Sequence, residues 1–122
     1  MLDNERYLSL VTFRRDGREV ATPIWFAEDA GRLVAFTLRD SGKVKRLRNS
    51  PRARFAACDA RGRVHGPWRD ATARVVSEPA AVAGMLEHLH RKYGWLMGLA
   101  DFFSRLSGRY SKRAYLEIVP TS

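Results

Sequence analysis

The sequence predicts a mainly β domain with a few short helices, its strands largely antiparallel and closed into a barrel. Two observations set the fold class. Runs rich in β-branched, aromatic and aliphatic residues recur along the chain and are punctuated by glycine-containing turns. Most connections between these runs are short, which favours antiparallel neighbours and closure. A third observation bounds the size. The 122 residues, 45% apolar and 29% charged, suit one domain over residues 1–122 built on one core.

Residues 7–14 (Tyr-Leu-Ser-Leu-Val-Thr-Phe-Arg) form the first predicted strand, and Asp16-Gly17 a hairpin turn after it. Val20 to Ala27 returns, and Pro23 within it marks an edge or a bulge because proline cannot donate to a ladder. Asp29-Ala30-Gly31 turns the chain into a third strand at 32–38. Ser41 reads as the N-cap of a short helix with Val44 and Leu47 on one face, ended by Asn49-Ser50-Pro51. Ala53 to Cys58 is a fourth strand. The run from Arg63 to Ser77 is a fifth, broken near Gly66-Pro67. Glu78-Pro79 opens a helix over Ala80 to Tyr93, with Gly94 at its C-terminal end. Trp95, Leu99, Phe102 and Leu106 make a second helical stripe stopped by Gly108, and Lys112 to Val119 is the last strand. The order is βββ-α-ββ-αα-β.

The N-terminal Met-Leu-Asp-Asn-Glu-Arg carries acids where a secretory leader has bases, and no stretch nears the roughly 20 apolar residues of a membrane span. A cytoplasmic protein with no membrane partner is expected. Cys58 is the single cysteine, which excludes an intramolecular disulfide; its apolar strand context reads as a buried small hydrophobe. No HExxH, paired-cysteine, GxSxG or P-loop pattern occurs, so metal, serine-hydrolase and nucleoside-triphosphate chemistry have no support, and no metal site is expected.

The net charge is +9, and residues 39–54 hold seven bases against Asp40 alone, a net +6. An excess this local points to an anion site. The stretch Phe36-Thr-Leu-Arg-Asp-Ser-Gly-Lys-Val-Lys-Arg46 delivers a strand to a helix start. Free N–H groups and the helix dipole meet there, Gly42 permits close approach, Lys43 adds a charge, and Thr37 and Ser41 add hydroxyls. That combination suits a phosphate; a capped helix with a solvated basic face has the same composition. Trp95, Phe102 and Phe103, at helical spacing, are expected in the core or a dimer contact. No nucleic-acid partner is expected, because the strand–helix order fits an OB-like module poorly.

These segments also resemble a known family. Tyr7 to Phe13 with Asp16-Gly17, Ala21 to Phe26, Asp40 to Arg48, Pro51, and Arg54 to Asp59 with Arg61-Gly62 are similar, in order and spacing, to the small deazaflavin-dependent branch of the pyridoxamine-phosphate-oxidase-like superfamily. Ser41-Gly42-Lys43 is the most specific part. The resemblance implies a six-stranded antiparallel split β-barrel of the FMN-binding type, forming a homodimer with two cofactor sites at the subunit interface. It implies that Thr37, Ser41, Gly42 and Lys43 bind the cofactor phosphate and that Thr22, Pro23 and Trp25 lie beside the ring system. Lys45 and Arg46, with Arg39, would meet the acidic tail of coenzyme F-420. The implied activity is F-420-dependent hydride transfer to an unsaturated small molecule. The alternatives are an FMN-binding oxidase or flavin reductase of the same fold, or a cofactor-binding protein without catalysis. The chain lacks room for the C-terminal segments by which larger oxidases hold pyridoxamine phosphate. The proton donor is not identified; His65 and Tyr110 are candidates by chemistry alone.

Overall fold

Two hairpin turns fold the first forty residues into a meander of β1 (Tyr7–Phe13), β2 (Glu19–Asp29) and β3 (Arg32–Leu38). The computed structural model describes residue 2 and residues 4–121; residues 1, 3 and 122 and the side chain of Tyr110 lie outside the described residues. The β2–β3 loop has two central residues, Ala30 (φ 50°) and Gly31 (φ 86°). Both are left-handed, as a two-residue loop needs if its twist is to match the strands.

Helix α1 (Gly42–Asn49) follows, then β4 (Arg52–Cys58), β5 (Arg69–Val76), α2 (Pro79–Tyr93), α3 (Trp95–Leu106), a 3-10 turn at Tyr110–Lys112 and β6 (Arg113–Pro120). The strands close in the order β1-β2-β3-β6-β5-β4, with β4 returning to β1, and every pairing is antiparallel. The element order is the one the sequence predicts. The fifth strand starts later, at Arg69, since Pro67 and the turn at Asp59–Gly62 leave only an isolated bridge between Cys58 and Val64.

Closure is incomplete at β2. All of Glu19–Trp25 pairs with β1, but β3 pairs only with Phe26–Asp29. Pro23 sits opposite Ser9 inside the half paired on one side, where a residue without an N–H is tolerated.

Two apolar clusters hold the fold. Leu8, Leu10, Ile24, Phe26, Leu33, Phe55, Leu116 and Ile118 fill the barrel, and Leu47 of α1 joins them. The second cluster lies where α2 meets β2 and β3: Ala27, Val34, Met85, Leu89, Tyr93 and Met97, with Trp25 and Phe36 beside them. Phe102, Phe103 and Trp95 are in neither. They are 59%, 58% and 75% exposed, which corrects the core half of the expectation and does not bear on a dimer contact; α3 turns its other face inward.

Tyr93 locks α2 to the sheet. Its hydroxyl oxygen accepts the Phe26 N–H at 2.9 Å and lies 2.7 and 2.8 Å from the Arg6 and Phe26 carbonyls, which share its single hydrogen. Burial pushes its pKa up to about 12. The unfolded phenol ionises near 10, so the folded state loses stability as pH rises from about 10 through about 12. Tyr93→Phe should cost about 1–3 kcal/mol at neutral pH by stranding the buried Phe26 N–H. Urea titrations across the alkaline range check both statements: the variant should lose less stability than the parent above pH 10.

Candidate functional site

The end of β3 and the start of α1 form the centre of the site. Leu38–Ser41 make a tight turn, with the Ser41 N–H donating to the Leu38 carbonyl at 3.0 Å. Ser41 is extended (φ −69°, ψ 155°) and occupies the N-cap, but its side chain makes no capping hydrogen bond. Its Oγ is buried and has no partner. That corrects the simple N-cap expectation: the hydroxyl is present but does not serve the helix. The first N–H groups of α1 lack intrahelical partners by geometry, and no acid stands in its first turn.

A second buried hydroxyl, Thr22 Oγ1, is likewise without a partner. Thr22 alternates with Ile24 and Phe26, so it faces the barrel interior, diagonal to Thr12 on β1. Thr12 is buried and accepts from Arg46 Nε at 2.6 Å, which ties α1 to this barrel end. Unpartnered buried hydroxyls are costly in a folded protein, and Ser41 Oγ and Thr22 Oγ1 are both of this kind.

The charges agree. Lys43 is half-buried, and among the described residues no hydrogen bond or ion pair engages it. Burial holds its ammonium below the ordinary lysine pKa, and the charge of Arg46 adds to the effect. Arg46 is lowered in turn by burial and by Arg14. A Cβ at Gly42 would lie 2.5 Å from an Arg46 guanidinium nitrogen, so only glycine lets Arg46 fold back over the helix start.

From this point a cleft of about 470 Å³ opens, lined by Arg14, Arg15, Asp16, Arg18, Gly42, Lys45, Arg46 and Asn49. Its one acid, Asp16, is held by Arg18 at 2.8 Å. Of the sequence-predicted residues, Gly42, Lys45 and Arg46 line this cleft; Ser41, Lys43 and Thr22 are not among its lining residues. Arg14, Arg15 and Arg18 were missed: they flank the β1–β2 turn, and only barrel closure carries that turn to α1.

The remaining predicted residues scatter. Thr37 is partly buried at the end of β3, opposite Ala114 on β6. Pro23 is exposed, and by alternation faces away from the interior. Trp25 lies on the same outward side, stacked on Tyr93 at 4.5 Å and edge-on to Phe36 at 6.4 Å. Arg39 is not in the basic cleft. It lines a separate one of about 400 Å³ with Arg48, Val76, Pro79 and Tyr115, because the turn after β3 points it the other way. His65 is exposed and bonded to Glu5 at 2.6 Å. Cys58 is buried, and burial pushes its thiol pKa up, as an inert side chain requires.

Among the described residues no helix is long and apolar enough to cross a membrane. The fold is shared with solved structures. One is a conserved hypothetical protein from Mycobacterium tuberculosis, 24% identical with a TM-score of 0.71, covering 99% of this chain and 76% of that one. Another is the heme storage protein HutZ from Vibrio cholerae, 13% identical with a TM-score of 0.74, covering 98% and 84%. A third is an F-420 reductase, 17% identical with a TM-score of 0.64, covering 99% and 90%. No curated protein matches the sequence. The family described as pyridoxamine 5'-phosphate oxidase (PNPOx_N) matches residues 1–121. With that match over nearly the whole chain and the six-stranded split barrel beneath it, the chain belongs to this family.

Proposed function

We propose that this protein is a reductase that uses coenzyme F-420 and acts on an unsaturated small molecule. The observation that carries the reading is the cation-lined cleft running from Gly42 past Lys45, Arg46 and three arginines of the β1–β2 turn, with its only carboxylate already paired. FMN offers one phosphate to such a site. F-420 offers a phosphodiester followed by an oligoglutamate tail, which is the better match to a string of cations. A solved structure of the same fold bears the name F-420 reductase, which agrees.

The residues fit the coenzyme's phosphate. Ser41 Oγ has unused hydrogen-bonding capacity, and the α1 N-terminus offers N–H donors. Lys43 is a desolvated charge whose cost an anion offsets. Gly42 leaves the helix start uncovered by a side chain of its own. When bound, F-420 supplies a hydride from its reduced deazaflavin carbon. The chain supplies binding, orientation and exclusion of water.

Paired titrations with F-420 and FMN, read by fluorescence, test the proposal. F-420 should bind the tighter. A preference for FMN would move the protein to the flavin-using oxidases and flavin reductases of this fold, and binding of neither would overturn the site. We also propose a homodimer whose partner subunit completes each site. Light scattering at micromolar concentration should give twice the chain mass, and a clean monomer would remove that part of the reading.

A further inference from the structure

Helix α3 presents its apolar stripe to the outside. Trp95, Leu99, Phe102, Phe103 and Leu106 fall on one face of a helix with 3.6 residues per turn, within an arc of about 100°. They are 75%, 46%, 59%, 58% and 74% exposed. The opposite face carries Met97 and Asp101, both buried. It is fastened to the body by Asp101, which accepts from Arg113 at 2.7 Å and lies 2.9 Å from His90 Nε2. The helix is therefore held firmly with its large apolar side chains turned away from the protein. A contiguous patch of this kind marks an interaction surface.

Charge identifies the occupant. From His88 to Leu116 the only acid is Asp101, and it is consumed by its buried ion pairs. Arg109 and Lys112 are exposed around the end of the stripe, with no exposed carboxylate on α3 or on the 3-10 turn. A second copy would bring the same cationic rim against itself across a two-fold axis. An anionic surface meets it with opposite charge, and an acyl layer beneath accepts Trp95, Phe102 and Phe103. We propose that α3 is a peripheral membrane-contact element. It lies flat on an anionic bilayer, with the apolar stripe at the headgroup–acyl boundary and the basic rim on the lipid phosphates. The inference is independent of the cofactor assignment. It revises the expectation of no membrane partner, which rested on spanning segments.

The test is flotation of the whole protein with vesicles of phosphatidylglycerol and phosphatidylcholine in equal parts, against phosphatidylcholine alone. The parent should float with the anionic vesicles and stay largely in solution with the neutral ones. Phe102→Ser with Phe103→Ser leaves the net charge unchanged and touches only exposed positions, so it should fold as the parent does and bind at least about tenfold more weakly. Arg109→Glu with Lys112→Glu should weaken binding to the anionic vesicles specifically. Failure of the parent to float overturns the proposal. So does equal flotation of the serine variant, which reduces the effect to unspecific charge. A smaller assembly for the serine variant by light scattering, with no lipid binding by the parent, would make this face a contact between copies and likewise overturn it.

Discussion

Replacing Asp101 with alanine is expected to cost the fold about 3–5 kcal/mol. Asp101 Oδ1 accepts from Arg113 at 2.7 Å, with the two side chains 12% and 2% exposed. Arg113 also donates to Ser104 Oγ at 3.0 Å and lies 4.3 Å over the Phe36 ring. Deleting the carboxylate removes a counter-charge of a guanidinium that has almost no access to water, and its remaining contacts offset only part of the desolvation already incurred. A domain of this size holds about 5–15 kcal/mol in all, so the loss should be evident in urea denaturation at neutral pH. Asp101→Leu combined with Arg113→Met should recover much of it, because a buried ion pair gains little over well-packed apolar groups. A loss below about 1 kcal/mol for the single variant would show that the pair is not buried in solution, and that α3 stands free of α2.

Lys43→Ala is expected to act in opposite directions on ligand binding and on the empty protein. Removing the charge should weaken binding of F-420 by about 1.5–3 kcal/mol, the worth of a charge-assisted contact, or roughly ten- to a hundredfold. Without ligand the variant should be at least as stable as the parent, since burial disfavours the charged ammonium in the folded state. The sign follows from the direction of the shift. A lysine lowered below its unfolded value destabilises the fold while charged, and that penalty is relieved as pH rises through the lowered pKa. Anion affinity moves the other way, declining over the same interval below 10.5. Fluorescence titrations from pH 7 to pH 10 check this: the parent should lose affinity toward the alkaline end while the variant stays flat. Unchanged affinity in a folded variant would sink the phosphate assignment.

Local chemistry carried most of the fold into the sequence. Gly17 and Ala30-Gly31 turn two hairpins with left-handed backbone, the first aided by Asp16 Oδ1 accepting the Arg18 N–H, and Asn49-Ser50-Pro51 ends α1 because Ser50 is extended before proline. The start of β5 was not legible. Residues 63–68 have strand-like composition, but pairing there depends on what the Cys58 end of β4 can reach. The α3 stripe shows the limit of periodicity: spacing says that five side chains share a face, not which way the face turns. Around the start of α1, Ser41, Gly42 and Lys43 were legible because they lie in one continuous segment. Arg14, Arg15 and Arg18 meet Gly42, Lys45 and Arg46 only through closure of the barrel, and Arg39, one residue before Asp40, lines a different cleft. The buried, unpartnered state of Thr22 Oγ1 was beyond sequence reasoning, since it depends on what surrounds an inward-facing position.

Pro23 has a further consequence for the protein in a crowded cell. Along Glu19–Trp25, β2 has a ladder partner on the β1 side alone among the described pairings. A row of free N–H and C=O groups of that kind templates strand addition and, with repetition, fibrous aggregation. Proline interrupts the row by withholding a donor midway, and Glu19 at its start keeps a charge there. A residue without an N–H in this half of β2 thus makes it a poorer template for uncontrolled self-assembly.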